Sequence, residues 1–157
     1  MRRRTAAGLG ISCLLAACAH QGTPPMAGMG WSLHHSEGEG AKLAYGQPNS
    51  DNVLVMMVCE PGSGAVRVSM TAAEGANPTL ALRAGGRTSA LSGETAPAMG
   101  LGAVLIEADT RATDPALSAF ARTGELTLVQ AGRSTVLPTR REERTSVRTF
   151  LSECAAA

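Results

Sequence analysis

Aromatic side chains are nearly missing from this 157-residue chain, which holds one Trp, one Tyr and two Phe. Its core must therefore be assembled from Val, Leu, Ile, Met and Ala, most of which remove less apolar area from water than an aromatic ring does. A dominant charge is also lacking. Fourteen Lys+Arg stand against thirteen Asp+Glu, and Arg2, Arg3 and Arg4 are three of the fourteen, so beyond them eleven basic face thirteen acidic groups. Nucleic-acid backbones require a concentrated cationic surface, and without one interleaved with aromatics no nucleic-acid partner is expected. A long hydrophobic run is missing too. The uncharged stretch Ala6 to Ala17 falls well short of the roughly 20 apolar residues that cross a bilayer. What is plentiful is Gly (18) with Pro (8), set between short apolar runs, a pattern of many turns rather than long helices.

The first 17 residues divide by physical role. Arg2-Arg3-Arg4 is a cationic n-region, and Ala6 to Ala17, with Leu9, Ile11, Leu14 and Leu15, is an export-signal h-region. Leu15-Ala16-Ala17-Cys18 then resembles the lipobox of bacterial lipoproteins. The resemblance covers only the leader. It implies cleavage before Cys18, a diacylglyceryl thioether on its sulfur, and often an acylated amine. The partner so implied is a lipid bilayer, entered through acyl chains at about 0.8 kcal/mol per buried methylene. Ala17-Cys18-Ala19 also meets the small-x-small requirement of ordinary signal peptidase, which would release a soluble protein instead. Ala19 in place of Asp suggests the outer membrane, at its periplasmic face.

Residues 18–40 read as a flexible tether, with Gly22, Pro24, Pro25, Gly28, Gly30, Gly38 and Gly40 and no sustained periodicity. Trp31 and Leu33 are its first candidates for docking. Residues 41–157 read as a single extracytoplasmic domain. Leu43 to Tyr45 is a brief strand candidate. Val53 to Cys59, continuously apolar, predicts a strand buried on both faces. Glu60 to Gly64 is a turn, and Val66, Val68 and Met70 alternate with Arg67 and Ser69 as in a half-buried strand. Thr79 to Arg83, Thr88 to Leu91 and Ala103 to Ala108 follow, with Gly93 to Gly102 read as mobile. Leu126 to Gln130 and Ser134 to Leu137 flank a hairpin turn.

Two helices are expected. Asp114-Pro115 supplies an N-cap and Pro at the first helical position, and Gly124 a stop. A second runs from about Arg140 to Cys154, with Thr139 and Glu142 at capping-box spacing and Val147, Phe150, Leu151 and Cys154 as one apolar stripe. The fold class is α+β, mostly β: an antiparallel sandwich or partly open barrel, with a short helix and a C-terminal helix packed on one face.

Once Cys13 leaves with the signal and Cys18 is acylated, Cys59 and Cys154 remain. Export to an oxidising compartment predicts that they pair, clamping the last helix to the sheet. Neither lies in a C-x-x-C motif, so redox or metal chemistry is not expected of them.

Other constellations are weak. His34, His35, Glu37 and Glu39 lie in a Gly-rich segment without ligand spacing, and Met26 and Met29 are only two thioethers, so no metal and no cofactor is expected. Met56, Met57 and Met70 read as core fillers. Gly62-Ser63-Gly64 is not a nucleophile elbow, because it opens no helix. Glu107 and Asp109 fall on one face of a strand, by default the solvent face of an edge strand.

The resulting expectation is a non-catalytic binding or structural module of the cell envelope, not an enzyme, with an envelope protein as candidate partner. One alternative is an inhibitor of an envelope enzyme. Membrane-bound lysozyme inhibitors are similar in outline, with lipobox, β-rich domain and a disulfide reaching the C-terminus. This chain departs from them where Ser63-Gly64 lacks a following Tyr and where no Trp is expected in the sheet. A small hydrolase is the second alternative. A protruding polar loop would favour the inhibitor, and a concave pocket of convergent ionisable groups the hydrolase.

Overall fold

The computed structural model describes residues 28–98 and 102–156. Ten strands and two helices follow in order: β1 Gly30–Ser36, β2 Gly40–Gly46, β3 Val53–Cys59, β4 Ala65–Ala73, β5 Thr79–Ala84, β6 Arg87–Ser92, β7 Glu94–Pro97, β8 Ala103–Arg111, α1 Pro115–Thr123, β9 Glu125–Gln130, β10 Arg133–Pro138 and α2 Glu143–Cys154. They form two antiparallel sheets, β1-β2-β3-β4-β8-β7 and β10-β9-β5-β6. The fold is thus a mostly-β α+β sandwich, not a closed barrel. Among the described residues no helix is long and apolar enough to cross a membrane.

The expected boundary at residue 41 is corrected: the sheet begins at Gly30. β1 pairs with β2 along its whole length, from Gly30 opposite Gly46 to Ser36 opposite Gly40. Trp31 and Leu33 point inward beside Tyr45 and Leu43, and of the glycines read as tether Gly30 opens β1, while Gly38 in the β1–β2 turn and Gly40 at the start of β2 have φ of 77° and 71°. Glycine takes those angles without steric cost. A second correction concerns residues 93–102. Glu94–Pro97 is a strand on β8, with Pro97 at an outer edge where no ladder N–H is needed.

β3 also differs from expectation. Val55, Met57 and Cys59 are buried, whereas Leu54, Met56 and Val58 are only half-buried on the opposite face. α2, whose Cys154 is bonded to Cys59, packs against β1 and β2 on the inner face, and no described element packs on the other.

Local chemistry accounts for the remaining elements. The Asp114 carboxylate accepts from the amides of Ala116 (2.8 Å) and Leu117 (3.2 Å), and Gly124 ends α1 in the left-handed region. Such a cap contributes about 1 kcal/mol. Ala131 and Gly132, φ 49° and 77°, form the two-residue turn of the β9–β10 hairpin. The capping of α2 is offset by one position: Glu143, not Glu142, reaches back to the amide of Arg140 (2.8 Å), while Thr139 donates its hydroxyl to the carbonyl of Gly124 (2.8 Å).

Between the layers lies one core, to which Leu80, Leu82, Leu126, Leu128 and Leu137 contribute from the smaller sheet and Val55, Met57, Val68 and Ile106 from the larger. All four aromatics are buried in it. Trp31 lies 5.2 Å from Tyr45 and 5.0 Å from Phe120, centroid to centroid, and its indole N–H donates to the carbonyl of Leu137 (3.4 Å). A chain this short of aromatics has spent three of them on one cluster that joins β1, β2 and α1.

Candidate functional site

In antiparallel strands, directly paired residues share a face. The register therefore places Ser32, Ala44, Met56, Ser69, Glu107 and Glu94 in one row across the outer face of the larger sheet. The next row holds His34, Lys42, Val58, Arg67 and Asp109. Leu54 and Leu105 lie on the same face, each half-buried. On this face β3 contributes an apolar strip, Leu54, Met56 and Val58, beside the polar Arg67, Ser69 and Thr71 of β4, while Glu94, Glu107 and Asp109 lie on β7 and β8.

One ion pair crosses the acidic side. Arg67 donates from Nε to Asp109 Oδ1 (2.9 Å) and from Nη2 to Oδ2 (3.2 Å). These hydrogen bonds hold the Asp109 carboxyl below the usual carboxylate range and raise the guanidinium in turn. Both side chains are more than half exposed, so the pair adds little to stability. Glu94 stands directly opposite Glu107, a like-charge pairing that a sheet tolerates poorly. Glu107 and Asp109 do share a face, but β8 is not an edge strand, since β7 lies outside it.

A cleft of about 470 Å³ opens where β1 begins, lined among others by Trp31, His34, Asn49, Arg140 and Glu143. Its two strongest charges are engaged with each other. Glu143, 7 % exposed, accepts from the Arg140 amide and meets Arg140 Nη1 at 3.3 Å, while Arg140 Nη2 donates to the carbonyl of Met29 at 2.9 Å. Gly30 makes room for this carboxylate, because a Cβ there would strike Glu143 Oε1. Behind it, burial pushes the Tyr45 phenol above its ordinary value, with Glu143 adding to the rise.

The expected cysteine pair is joined. Cys59 and Cys154 form a disulfide with Cα atoms 5.7 Å apart, within the usual range. Cys18 and Met26 lie outside the described residues. Met29 is buried, Met57 is a core residue and Met70 is half-buried, whereas Met56 belongs to the open face. His34 and His35 sit on β1, not in a linker, and point to opposite faces. His35 Nε2 lies 2.9 Å from Glu153 Oε2 on α2. Glu39 pairs with Lys42 at 2.7 Å, and Glu37 shares in neither contact. Among the described residues no three His, Cys, Asp or Glu side chains gather as metal ligands would.

Ser63 stands in an exposed turn that caps the end of α2 without protruding. The amides of Gly62 and Gly64 donate to the carbonyls of Glu153 (2.7 Å) and Cys154 (2.8 Å). Trp31 lies within the sheet, contrary to expectation. No signal in the sequence singles out Arg140, Glu143 or the open face. The even spacing of Leu54, Met56 and Val58 carried no sign of exposure, because the alternate residues are apolar as well.

No protein-family model matches the chain, and no curated protein or solved structure shows significant similarity to it.

Proposed function

We propose that this protein is a membrane-anchored envelope lipoprotein whose domain binds another envelope protein and performs no chemistry of its own. The observation that carries the reading is the open face of the six-stranded sheet, with half-buried Leu54, Met56 and Val58 in an apolar strip along β3, one of its inner strands. An apolar strip that no described element covers, flanked by polar and charged side chains, is a feature of protein interfaces. The partner it fits presents a matching apolar strip, with basic groups where it meets Glu94 and Glu107.

Support for the non-catalytic part comes from how the ionisable groups are used. Asp114 caps a helix, Glu143 is held by Arg140, and Asp109 is held by Arg67. The anchor part rests on the leader and its lipobox, with Cys18 carrying the acyl chains, and puts the domain at the periplasmic face of the outer membrane. No cofactor is required.

The test is photo-crosslinking in intact cells, with a photoreactive residue at Met56 or, as a control, at exposed Thr88 on the other sheet. One discrete heavier adduct from position 56, absent from position 88, is expected. The same pattern from both positions would defeat the reading. A product of twice the chain's mass would make the occupant a second copy and remove the heterologous partner.

A further inference from the structure

Arg141, Arg144 and Arg148 converge with Thr139 around one shallow surface depression of about 520 Å³. Arg144 and Arg148 are one helical turn apart on α2, whose buried side is formed instead by Glu143, Val147, Phe150, Leu151 and Cys154. Arg141 stands three residues before Arg144, and all three arginines are exposed. Among the described residues none of them forms an ion pair. Of the nearby acids, Glu143 is turned inward to Arg140, and exposed Glu142 and Glu125, the latter opposite Pro138, are too few to balance the three arginines. Like charges one turn apart disfavour a helix, and an anionic surface facing them relieves that repulsion.

The position of the patch says which anionic surface. Arg140, next in the chain, holds the carbonyl of Met29 at 2.9 Å, where the chain enters the domain. The patch therefore begins beside the point where the chain enters the domain, and Arg144 and Arg148 extend it along α2. Nine residues lie between Cys18 and Gly28, so the ten steps of chain span at most about 35 Å when fully extended. We propose that Arg141, Arg144 and Arg148 form an electrostatic docking surface for the anionic phospholipid headgroups of the membrane that acylated Cys18 enters, an inference that rests on the anchor reading. Guanidinium groups suit phosphate oxygens through paired N–H donors, and basic residues next to a lipid anchor strengthen membrane association. Docking by this patch turns α2 toward the bilayer and leaves the open face of the larger sheet free for a protein.

The experiment uses the chain as processed before Cys18, with Cys18→Ser so that no acyl chain contributes. It is sedimented with phosphatidylcholine vesicles, with and without phosphatidylglycerol as the minority lipid, at low and high salt. Binding to the anionic vesicles alone, lost at high salt, is expected. Arg141→Gln, Arg144→Gln and Arg148→Gln should each weaken it about fivefold, and the triple variant roughly a hundredfold. Arg83→Gln with Arg87→Gln, on the other sheet, should leave it unchanged. A melting curve checks that the triple variant is folded.

Equal binding to neutral vesicles, or a folded triple variant that binds like the parent, overturns the proposal. Displacement by millimolar inorganic phosphate does so too, because it would mark a discrete phosphate site. Labelled palmitate fed to cells making the unaltered chain reports separately on the anchor. Label without vesicle binding overturns docking and leaves the anchor standing. Vesicle binding without label removes the anchor, and with it the claim that the docked membrane is the one Cys18 enters.

Discussion

Tyr45 is the chain's one tyrosine, so its ionisation can be followed by ultraviolet absorbance without overlap. Its phenol is 2 % exposed as a residue and is pushed above its ordinary value first by burial, then by Glu143, with Arg140 opposing. A raised value means that the fold favours the protonated phenol. Its contribution to stability is therefore fully present below pH ~10, the unfolded value, and is lost as pH rises through the folded one. Spectrophotometric titration should give a folded midpoint above ~10 that returns to ~10 in urea. A folded midpoint at or below the urea value would contradict this environment. Glu143→Gln should lower the folded midpoint only partly, because burial remains the larger cause. None of this was legible from Tyr45 itself, which reads in the sequence only as one member of a short strand. The carboxylate that matters to it lies 98 residues away along the chain.

At the scale of elements, α2 is held in three ways: by the stripe Val147, Phe150 and Leu151, by the amides of Gly62 and Gly64 at its end, and by the Cys59–Cys154 bond. The bond closes a loop of 95 residues, for which loop-closure entropy alone gives about 4–5 kcal/mol. Cys154→Ser should lower stability by roughly 2–5 kcal/mol in denaturant titration and speed amide exchange in the last turn of α2. An unchanged midpoint would show that the stripe suffices. Elements with local punctuation were readable in advance: α1 from Asp114-Pro115 and Gly124, and the β9–β10 hairpin from Ala131-Gly132. β1 and β7 were not. β1 has only Trp31 and Leu33 as inward apolar residues before reaching His35, and β7 is four residues long with no apolar alternation. Both acquire strand structure by pairing with a neighbour, not from their own pattern.

For the molecule as a whole, the anchor and the domain are separable in the proposed reading. Cys18→Ser should move the protein from the membrane to the soluble fraction of the cell envelope with its melting temperature unchanged, since among the described residues the core includes none before Met29. Continued membrane attachment at high salt would refute acylation at that residue as the anchor.

The chain order of charge, apolar stretch and Cys18 was enough to raise the anchor, and the turns, caps and the Cys59–Cys154 pair were enough to expect a mostly-β fold, sandwich or partly open barrel, with a clamped C-terminal helix. Those features are local, or follow from counting. Which face of β3 stays open, which strand lies outside β8, and that Arg140 meets Met29 were decided only in three dimensions. Sheet order and register set them, and these depend on the best joint burial of residues far apart in sequence, so an apolar run such as Val53–Cys59 reads the same whether one of its faces is covered or both.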